Sequence, residues 1–237
     1  MPKTAMVLAA GLGTRMRPLT DTVPKPLVPL SGKPLLDHVL ARLAAAGVTK
    51  AVVNVHHMAD RIEDHVAGCA IPAIEISDER DVLLDTGGGV VRALPRLGPE
   101  PFFIHNSDSV WIEGGMPCLE KMIAAWDPEI MDTLLLLAPV TQTLGYSGAG
   151  DFVMDAHGLL RRRQEGESVP FVFAGVSIAH PRLFRNAPEG KFSLNLLWDR
   201  AISNARAYGV RHEGVWMHVG TPEAVREAEE RLRREHA

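Results

Sequence analysis

Short apolar segments alternate with amphipathic ones over the first 140 residues, and this alternation limits the possible folds more than any other feature. The runs Met6–Ala9, Ala51–Val55, Phe102–His105 and Thr133–Val140 have the composition of buried strands. Between the first two runs, Leu35–Leu43 carries leucine and valine at helical spacing. Strand, helix and strand in this order predict right-handed βαβ units and a mostly parallel sheet that is buried on both faces.

The second half of the chain differs because a hairpin signal interrupts the alternation. Asp151–Met154 and Leu159–Arg162 flank a turn-forming segment. Thr221 followed by Pro222 predicts the start of a final helix. We therefore expect a single three-layer α/β/α domain over residues 1–237, Rossmann-like, with a mostly parallel mixed sheet and a small additional β-element after about residue 140.

Composition excludes several classes of protein. Lys and Arg number 25 and Asp and Glu number 29, so the net charge of −4 lacks the basic excess of a nucleic-acid binder. The apolar run Ala5–Ala10 is shorter than a secretory signal needs, and no stretch approaches the roughly 18 apolar residues of a membrane helix. Two cysteines, Cys69 and Cys118, cannot form a disulfide scaffold. We expect a cytoplasmic protein that binds neither nucleic acid nor membrane.

The Gly-rich turn Gly11–Gly13 follows the first predicted strand. It therefore lies at a carboxyl edge of the sheet, where open α/β sheets bind ligands and where glycines let backbone N–H groups approach phosphate oxygens. Two standard phosphate motifs are absent. Met16 stands where the dinucleotide fingerprint needs glycine, and Pro34 follows Gly32-Lys33 where a P-loop needs Ser or Thr.

Two cations lie just beyond this turn, at Arg15 and Lys25. Three prolines in Pro24–Pro29 predict a stiff, extended segment that presents Lys25 rigidly. A rigid cation beside a Gly-rich turn suits a polyphosphate. An ordinary left-handed turn and a solvated surface lysine are the simpler alternatives.

The segment GLGTRMRPLT followed by PKPLVP resembles the signature of nucleoside-triphosphate–sugar-1-phosphate nucleotidylyltransferases. The resemblance covers nearly the whole chain and continues through Gly32–Leu36, Thr86–Gly89, Asn106–Asp108 and Trp216–Pro222. Among family members, the chain is most similar to the short N-acetylmuramate-1-phosphate uridylyltransferases of cell-wall recycling. The resemblance implies a nucleotidyltransferase fold, with a nucleotide-binding half over about residues 1–140 and a sugar-binding half over about 141–237.

The resemblance also implies a reaction, in which a sugar-1-phosphate oxygen attacks the α-phosphorus of a nucleoside triphosphate and pyrophosphate leaves. Such chemistry needs positioning and charge neutralisation rather than a nucleophilic side chain. Arg15 would neutralise the triphosphate, and Lys25 would hold the α-phosphate or the sugar phosphate. The implied nucleotide contacts are Ala9, Ala10, Gly11, Gly13, Thr86, Gly87, Gly88 and Asn106, with Thr86–Gly88 as a loop beside the base or ribose. The implied sugar contacts are Tyr146, Gly150 and Gly175.

Magnesium is the implied cofactor, and Asp108 is its expected ligand because a carboxylate at a strand's carboxyl edge binds this ion well. The family pattern Trp-x-Asp-x-Gly-Thr carries a second carboxylate, but this chain has His218 there. Imidazole is a poor ligand for magnesium. Asp108 could hold the ion with waters and substrate phosphates, His218 could contact a phosphate, or the site could prefer manganese. A hydrogen-bonded strand histidine is the plain alternative.

We therefore expect an enzyme, a monomer or small homo-oligomer, that makes a nucleotide-sugar and pyrophosphate. UTP and N-acetylmuramate-1-phosphate are the favoured substrates. Guanylyl transfer to mannose-1-phosphate and thymidylyl transfer to glucose-1-phosphate are alternatives, since those enzymes share the signature. Two other classes compete: a non-catalytic nucleotide-sugar sensor, favoured by His218, and a nicotinamide-dependent dehydrogenase, favoured only by the βαβ start and disfavoured by Met16.

Overall fold

Strands and helices alternate as predicted in the computed structural model, which describes residues 1–235. The strands are β1 (Thr4–Leu8), β2 (Pro29–Leu30), β3 (Lys33–Pro34), β4 (Lys50–Val55), β5 (Ala73–Asp78), β6 (Phe102–Asn106), β7 (Ser109–Ile112), β8 (Thr133–Pro139), β9 (Thr143–Leu144), β10 (Phe152–Met154), β11 (Leu160–Arg162), β12 (Phe171–Ala179), β13 (Ala207–Arg211) and β14 (Val215–His218). The helices are α1 (Leu35–Ala45), α2 (Ala59–Val66), α3 (Asp85–Leu97), α4 (Cys118–Ala125), α5 (Asn195–Ser203) and α6 (Pro222–Glu235). No helix within residues 1–235 is long and apolar enough to cross a membrane.

The main sheet has the order β5, β4, β1, β6, β12, β8, β13. Strands β5, β4, β1 and β6 are parallel, β12 is antiparallel to both β6 and β8, and β13 is parallel to β8. The hairpin β10–β11 joins the first residue of β12 and forms the predicted additional β-element. The prediction of a mostly parallel mixed sheet is confirmed.

Helices cover both faces of this sheet, which explains the continuous apolar runs in its central strands. Val7 and Val53 face a core cluster that contains residues of α1, α2 and α4, whereas Met6 and Val52 face a cluster that contains residues of α3 and α5. Both clusters contain residues from before and after residue 140. The three layers are thus helices, sheet and helices.

A three-stranded sheet of β7, β14 and β9 brings the second half of the chain against the first. Strand β7 begins directly after the turn that ends β6, and it pairs antiparallel with β14. The register sets His218 opposite Ser109, one residue beyond Asp108. The final helix α6 begins as predicted, with the Thr221 hydroxyl accepting a hydrogen bond from the Ala224 N–H at 3.2 Å.

Helix α3 contains Pro95 and continues to Leu97, because burial of Leu97 in the core holds the last turn although proline removes one hydrogen bond. One short segment differs from the predictions. Lys25 does not lie in an extended segment but begins a 3₁₀ turn over Lys25–Leu27. The restricted φ of Pro26 suits that turn as well as it suits an extended chain.

Candidate active site

A cavity of about 470 Å³ opens at the carboxyl ends of the neighbouring parallel strands β1 and β6. The turn after β1 and the turn after β6 supply backbone to its walls, as expected for an α/β ligand site. The cavity walls include the predicted residues Ala9, Ala10, Gly11, Gly13, Arg15, Lys25, Thr86, Asn106 and Asp108.

A second cavity, of about 400 Å³, lies between the hairpin β10–β11, strand β12, helix α5 and strand β14. Two of the three predicted sugar contacts, Tyr146 and Gly175, line it. The two cavities share a wall, which is made by Arg15, Asp85, Thr86, Asn106 and Asp108. Two substrates that exchange a group must meet, and this shared wall is where occupants of the two cavities would do so.

An ion pair between Lys25 and Asp108 stands at this wall, with the Lys25 ammonium donating to Oδ2 of Asp108. The two side chains are only 13% and 23% exposed. Burial by itself would raise the pKa of Asp108, but the charge and hydrogen bond of Lys25 hold the pKa below its usual range. Asp108 is therefore ionised at neutral pH, and Lys25 is held in one position.

His218 is linked to the same wall through Arg15, whose Nη1 lies 3.4 Å from Nε2 of His218. Burial lowers the pKa of His218, and the charges of Lys25 and Arg15 lower it further, although Asp108 opposes the shift. A guanidinium can only donate, so the neutral imidazole accepts through Nε2. The Trp216 ring, with its centroid 5.6 Å away, packs beside the imidazole.

The donor set at the wall suits a magnesium ion held by one protein carboxylate. Asp108 offers oxygen, and magnesium commonly binds through one or two carboxylates together with waters and substrate phosphates. His218 is a nitrogen donor that is already engaged with Arg15. In the described part of the chain, one cluster of three or more potential ligands occurs, namely Glu113, Cys118 and His212, and none of these lines either cavity.

That separate cluster is a closed hydrogen-bonded group. Sγ of Cys118 lies 2.8 Å from Nδ1 of His212, and both side chains are buried. Burial, with Glu113 nearby, raises the pKa of the Cys118 thiol well above its usual range. With no metal bound, the thiol is therefore protonated at neutral pH.

A buried network that the sequence interpretation missed supports the Gly-rich turn. Oδ1 of Asn54 accepts from the Ala9 N–H at 2.7 Å, and Nδ2 of Asn54 donates to Oε1 of Glu79 at 2.7 Å. Oε2 of Glu79 accepts from the Leu84 N–H at 3.2 Å. A Cβ on Gly89 would lie 2.7 Å from Glu79 Oε1, so the third glycine of the run makes room for this carboxylate.

The predicted loop at Thr86–Gly88 is instead the first turn of α3. The N–H groups of Gly87 and Gly88 both donate to the Phe192 carbonyl, at 2.9 and 3.2 Å, and a Cβ on Gly87 would lie 2.3 Å from the Phe192 ring. Neither glycine is among the cavity-lining residues of the described chain. These positions require glycine because the segment that carries Lys191, a residue of the first cavity, packs against them.

Gly150, a predicted sugar contact, does not line the second cavity as the structure describes it, but it contacts Tyr146, which does. The Gly150 N–H donates to the Tyr146 hydroxyl at 3.1 Å and so orients the ring. Gly175 has a positive φ of +84°, and a Cβ there would lie 2.5 Å from the Ser109 Cβ. The absence of a side chain at position 175 allows β12 to approach the start of β7.

Several lining residues of the second cavity escaped the sequence interpretation. They come from separate elements, so no local motif marks them. They include Phe152, Arg162, Phe173, Asn195 and Trp198.

Comparison with known proteins identifies the family. The model of the MobA-like NTP transferase domain matches residues 5–142. Over 235 residues the chain is 51% identical to the N-acetylmuramate alpha-1-phosphate uridylyltransferase of Caulobacter vibrioides, covering 98% of this chain and 97% of the relative. It is 34% identical to the enzyme of the same name from Neisseria meningitidis, covering 95% and 96%. The chain belongs to the MobA-like NTP transferase family and is a sugar-1-phosphate nucleotidylyltransferase.

Solved structures agree on the fold. HddC from Yersinia pseudotuberculosis in complex with GMP-PN matches with a TM-score of 0.76 and 22% identity, covering 97% of this chain and 99% of HddC. A UDP-glucose pyrophosphorylase in complex with UDP-glucose matches with a TM-score of 0.77 and 17% identity, covering 99% and 100%. The predicted nucleotidyltransferase fold is confirmed, and the dehydrogenase alternative is wrong.

Proposed function

We propose that this enzyme transfers the uridylyl group of UTP to N-acetylmuramate α-1-phosphate, giving UDP-N-acetylmuramate and pyrophosphate. The observation that carries the proposal is the shared wall of the two cavities, where Arg15 and Asp108 face both. The first cavity takes the nucleotide and the second takes the sugar. The choice of uracil and N-acetylmuramate is supported by the names of two relatives that match over nearly their full length.

The reaction needs no general base from the protein, because the attacking sugar-phosphate oxygen is already anionic. Arg15 and Lys25 neutralise charge on the phosphates as the bond to pyrophosphate breaks. Lys25 is already held by Asp108, so little reorganisation accompanies the transfer. Gly11–Gly13 line the first cavity, and their backbone N–H groups are the proposed ligands of the triphosphate oxygens.

Magnesium is the proposed cofactor, with Asp108 as its protein ligand. When bound, the ion supplies further charge neutralisation across the phosphates. The role of His218 is to accept a hydrogen bond from Arg15 and so to orient that guanidinium toward the shared wall. Manganese is a second candidate ion, and a dependence on it would bring His218 back as a ligand.

The setting of the reaction follows from its substrates. Nucleoside triphosphates are held inside cells, so we place the enzyme in the cytoplasm, where it would act as a monomer or a small homo-oligomer. N-acetylmuramate is a cell-wall sugar, and its activation by a nucleotide fits the recycling of cell-wall fragments.

A matrix of substrates tests the proposal. Pyrophosphate release is measured with UTP, GTP, dTTP and CTP against the 1-phosphates of N-acetylmuramate, N-acetylglucosamine, mannose and glucose, and product masses identify what forms. We expect the highest kcat/KM for UTP with N-acetylmuramate-1-phosphate. An Asp108→Asn variant controls for contaminating activity. A preference for GTP with mannose-1-phosphate would establish guanylyl transfer instead, and binding without turnover would establish a sensor.

A further inference from the structure

The second cavity contains a positive charge that the phosphates do not explain. Of the residues that line this cavity in the described chain, Arg15 and Arg162 are the arginines, and no lysine is among them. Arg15 also lines the first cavity and stands at the shared wall, whereas Arg162 lines the second cavity alone. A sugar phosphate with a neutral ring would present its phosphate at the shared wall and would leave Arg162 without a role.

Arg162 is held in place from three sides. Its Nε donates to Oδ1 of Asp199 at 2.8 Å, its Nη2 donates to Oδ1 of Asn195 at 3.3 Å, and its Cζ lies 4.7 Å from the centroid of the Phe152 ring. Helix α5 supplies both oxygens, and Phe152 is the partner of Arg162 in the β10–β11 pairing. The guanidinium plane is thus oriented before any ligand arrives.

The Nη1 amino group of this guanidinium is still available, whereas Nη2 also lies 2.7 Å from Oδ1 of Asp199. Nη1 of Arg162 donates to no residue that the structure describes, and the side chain is 31% exposed. Asp199 offsets part of the positive charge, but its side chain is 55% exposed, so water screens it. Asp151, which lines this cavity as Asp85 and Asp108 also do, has one carboxylate oxygen engaged by the Phe173 N–H at 2.9 Å.

A guanidinium that is fixed in place and keeps a free amino group is well suited to bind a carboxylate. N-acetylmuramate differs from N-acetylglucosamine by a lactyl ether, which ends in a carboxylate. We propose that Arg162 binds the carboxylate of the sugar substrate and thereby selects an acidic sugar phosphate over its neutral counterpart. This assignment rests on the proposed function, since the substrate named there is the one that carries the carboxylate.

The neighbouring arginine provides a matched control. Arg161 pairs with both carboxylate oxygens of Glu167, at 2.9 and 2.6 Å, and its side chain is 47% exposed. It lines neither cavity in the described residues. Because Arg161 and Arg162 share a strand and a charge, a difference between their variants reports on the cavity and not on the strand.

The experiment measures kcat and KM at saturating UTP for N-acetylmuramate-1-phosphate and N-acetylglucosamine-1-phosphate, in the wild type, Arg162→Gln, Arg162→Lys and Arg161→Gln. In Arg162→Gln, we expect the preference for the acidic sugar to fall by roughly 10- to 100-fold, the size of a lost hydrogen bond to a charged group. The loss is expected in KM for N-acetylmuramate-1-phosphate, with KM for UTP unchanged. Arg162→Lys keeps the charge but loses the planar fork, so a smaller loss is expected. Arg161→Gln should keep the preference in full.

Two failures are distinguishable. If the wild type prefers N-acetylmuramate-1-phosphate and Arg162→Gln keeps the same preference, the assignment of Arg162 is overturned while the proposed function stands. If the wild type prefers the neutral sugar, the proposed substrate is wrong, and the assignment falls with it. Equal losses for both sugars, or equal losses in Arg161→Gln, would also overturn it. Should Arg162→Gln not fold, full retention of the preference in Arg162→Lys has the same meaning.

Discussion

The two cavities that meet at Arg15 and Asp108 are built in different ways. The first is lined mainly by residues of the turns that follow β1 and β6, beside Lys25. The second has walls of side chains from β7, β10, β11, β12, α5 and β14. Phosphates are common to every substrate of such an enzyme, and backbone turns can bind them without regard to the sugar. The sugar changes from enzyme to enzyme, and side chains on separate elements can change with it.

The shared wall should therefore be the most sensitive part of the molecule, and Asp108→Asn should have the largest effect. An amide neither binds magnesium well nor balances Lys25, so kcat should fall on the order of 10³-fold. The measurement is pyrophosphate release across a magnesium titration. Asp81→Asn is the control, because Asp81 pairs with Arg92 at the surface and lines neither described cavity. If Asp108→Asn kept a tenth of the activity, Asp108 would not be the protein ligand on which the magnesium ion depends.

Arg15→Ala should rank next, with a loss of roughly 30- to 1000-fold in kcat, as typically follows removal of one charge-stabilising donor. Its thermal midpoint should change little, since Arg15 lies in a short turn and buries little apolar surface. Arg17→Ala is the matched control, because Arg17 lies two residues away, is 69% exposed and pairs with Asp21. If Arg17→Ala lost as much turnover as Arg15→Ala, local structure rather than phosphate binding would explain both.

His218 should matter less, because it acts through Arg15. Removing the acceptor in His218→Ala should lower kcat by about tenfold, which corresponds to roughly 1.4 kcal/mol and lies near the low end for a hydrogen bond with a charged donor. His218→Gln keeps an acceptor and should recover part of the loss. His218→Asp restores the family's carboxylate and should tighten the magnesium dependence or leave it unchanged. A loss of the magnesium response in His218→Ala, with Asp108→Asn still active, would show that the imidazole is the ligand.

The smallest expected effect comes from His105, a buried residue outside both cavities, and it concerns stability rather than activity. Burial lowers the pKa of His105 to about 4 from 6.5, so the folded state holds this ring neutral. The unfolded chain binds the proton first, and the free energy of unfolding should therefore fall as pH drops from about 6.5 towards 4. Urea unfolding at pH 7.5, 6 and 5 measures this slope. His105→Leu, which cannot titrate, should have a flatter slope, and an unchanged slope would assign the effect to other groups.

The same contrast explains what could be predicted from the sequence. The strand runs, the Gly-rich turn and the predicted residues Arg15, Lys25 and Asp108 lie in contiguous motifs, and the structure brings them to one edge of the sheet. Arg162 and Asn195 could not be singled out, because their proximity depends on how β11 packs beside α5. Gly87 and Gly88 lie in a helix and not in the predicted loop, for a related reason. A sequence does not show whether a glycine makes room for a nearby aromatic ring or for a phosphate.

Glu79 is a further residue whose environment could not be predicted from the sequence. A charged residue at the end of a strand normally indicates a solvent-exposed position. Glu79, however, is fully buried between Asn54 and the start of α3. Its hydrogen-bond partners lie on other elements, and only the assembled sheet shows that they satisfy it.

In the proposed mechanism, nucleotide and sugar occupy separate cavities that meet at one wall. A crystal structure of the enzyme with UDP-N-acetylmuramate tests this most directly. We predict uridine in the first cavity, the diphosphate at the wall beside Arg15 and Asp108, and the sugar in the second cavity with its carboxylate on Arg162. A sugar bound outside the second cavity, or a diphosphate remote from Arg15 and Asp108, would contradict the account.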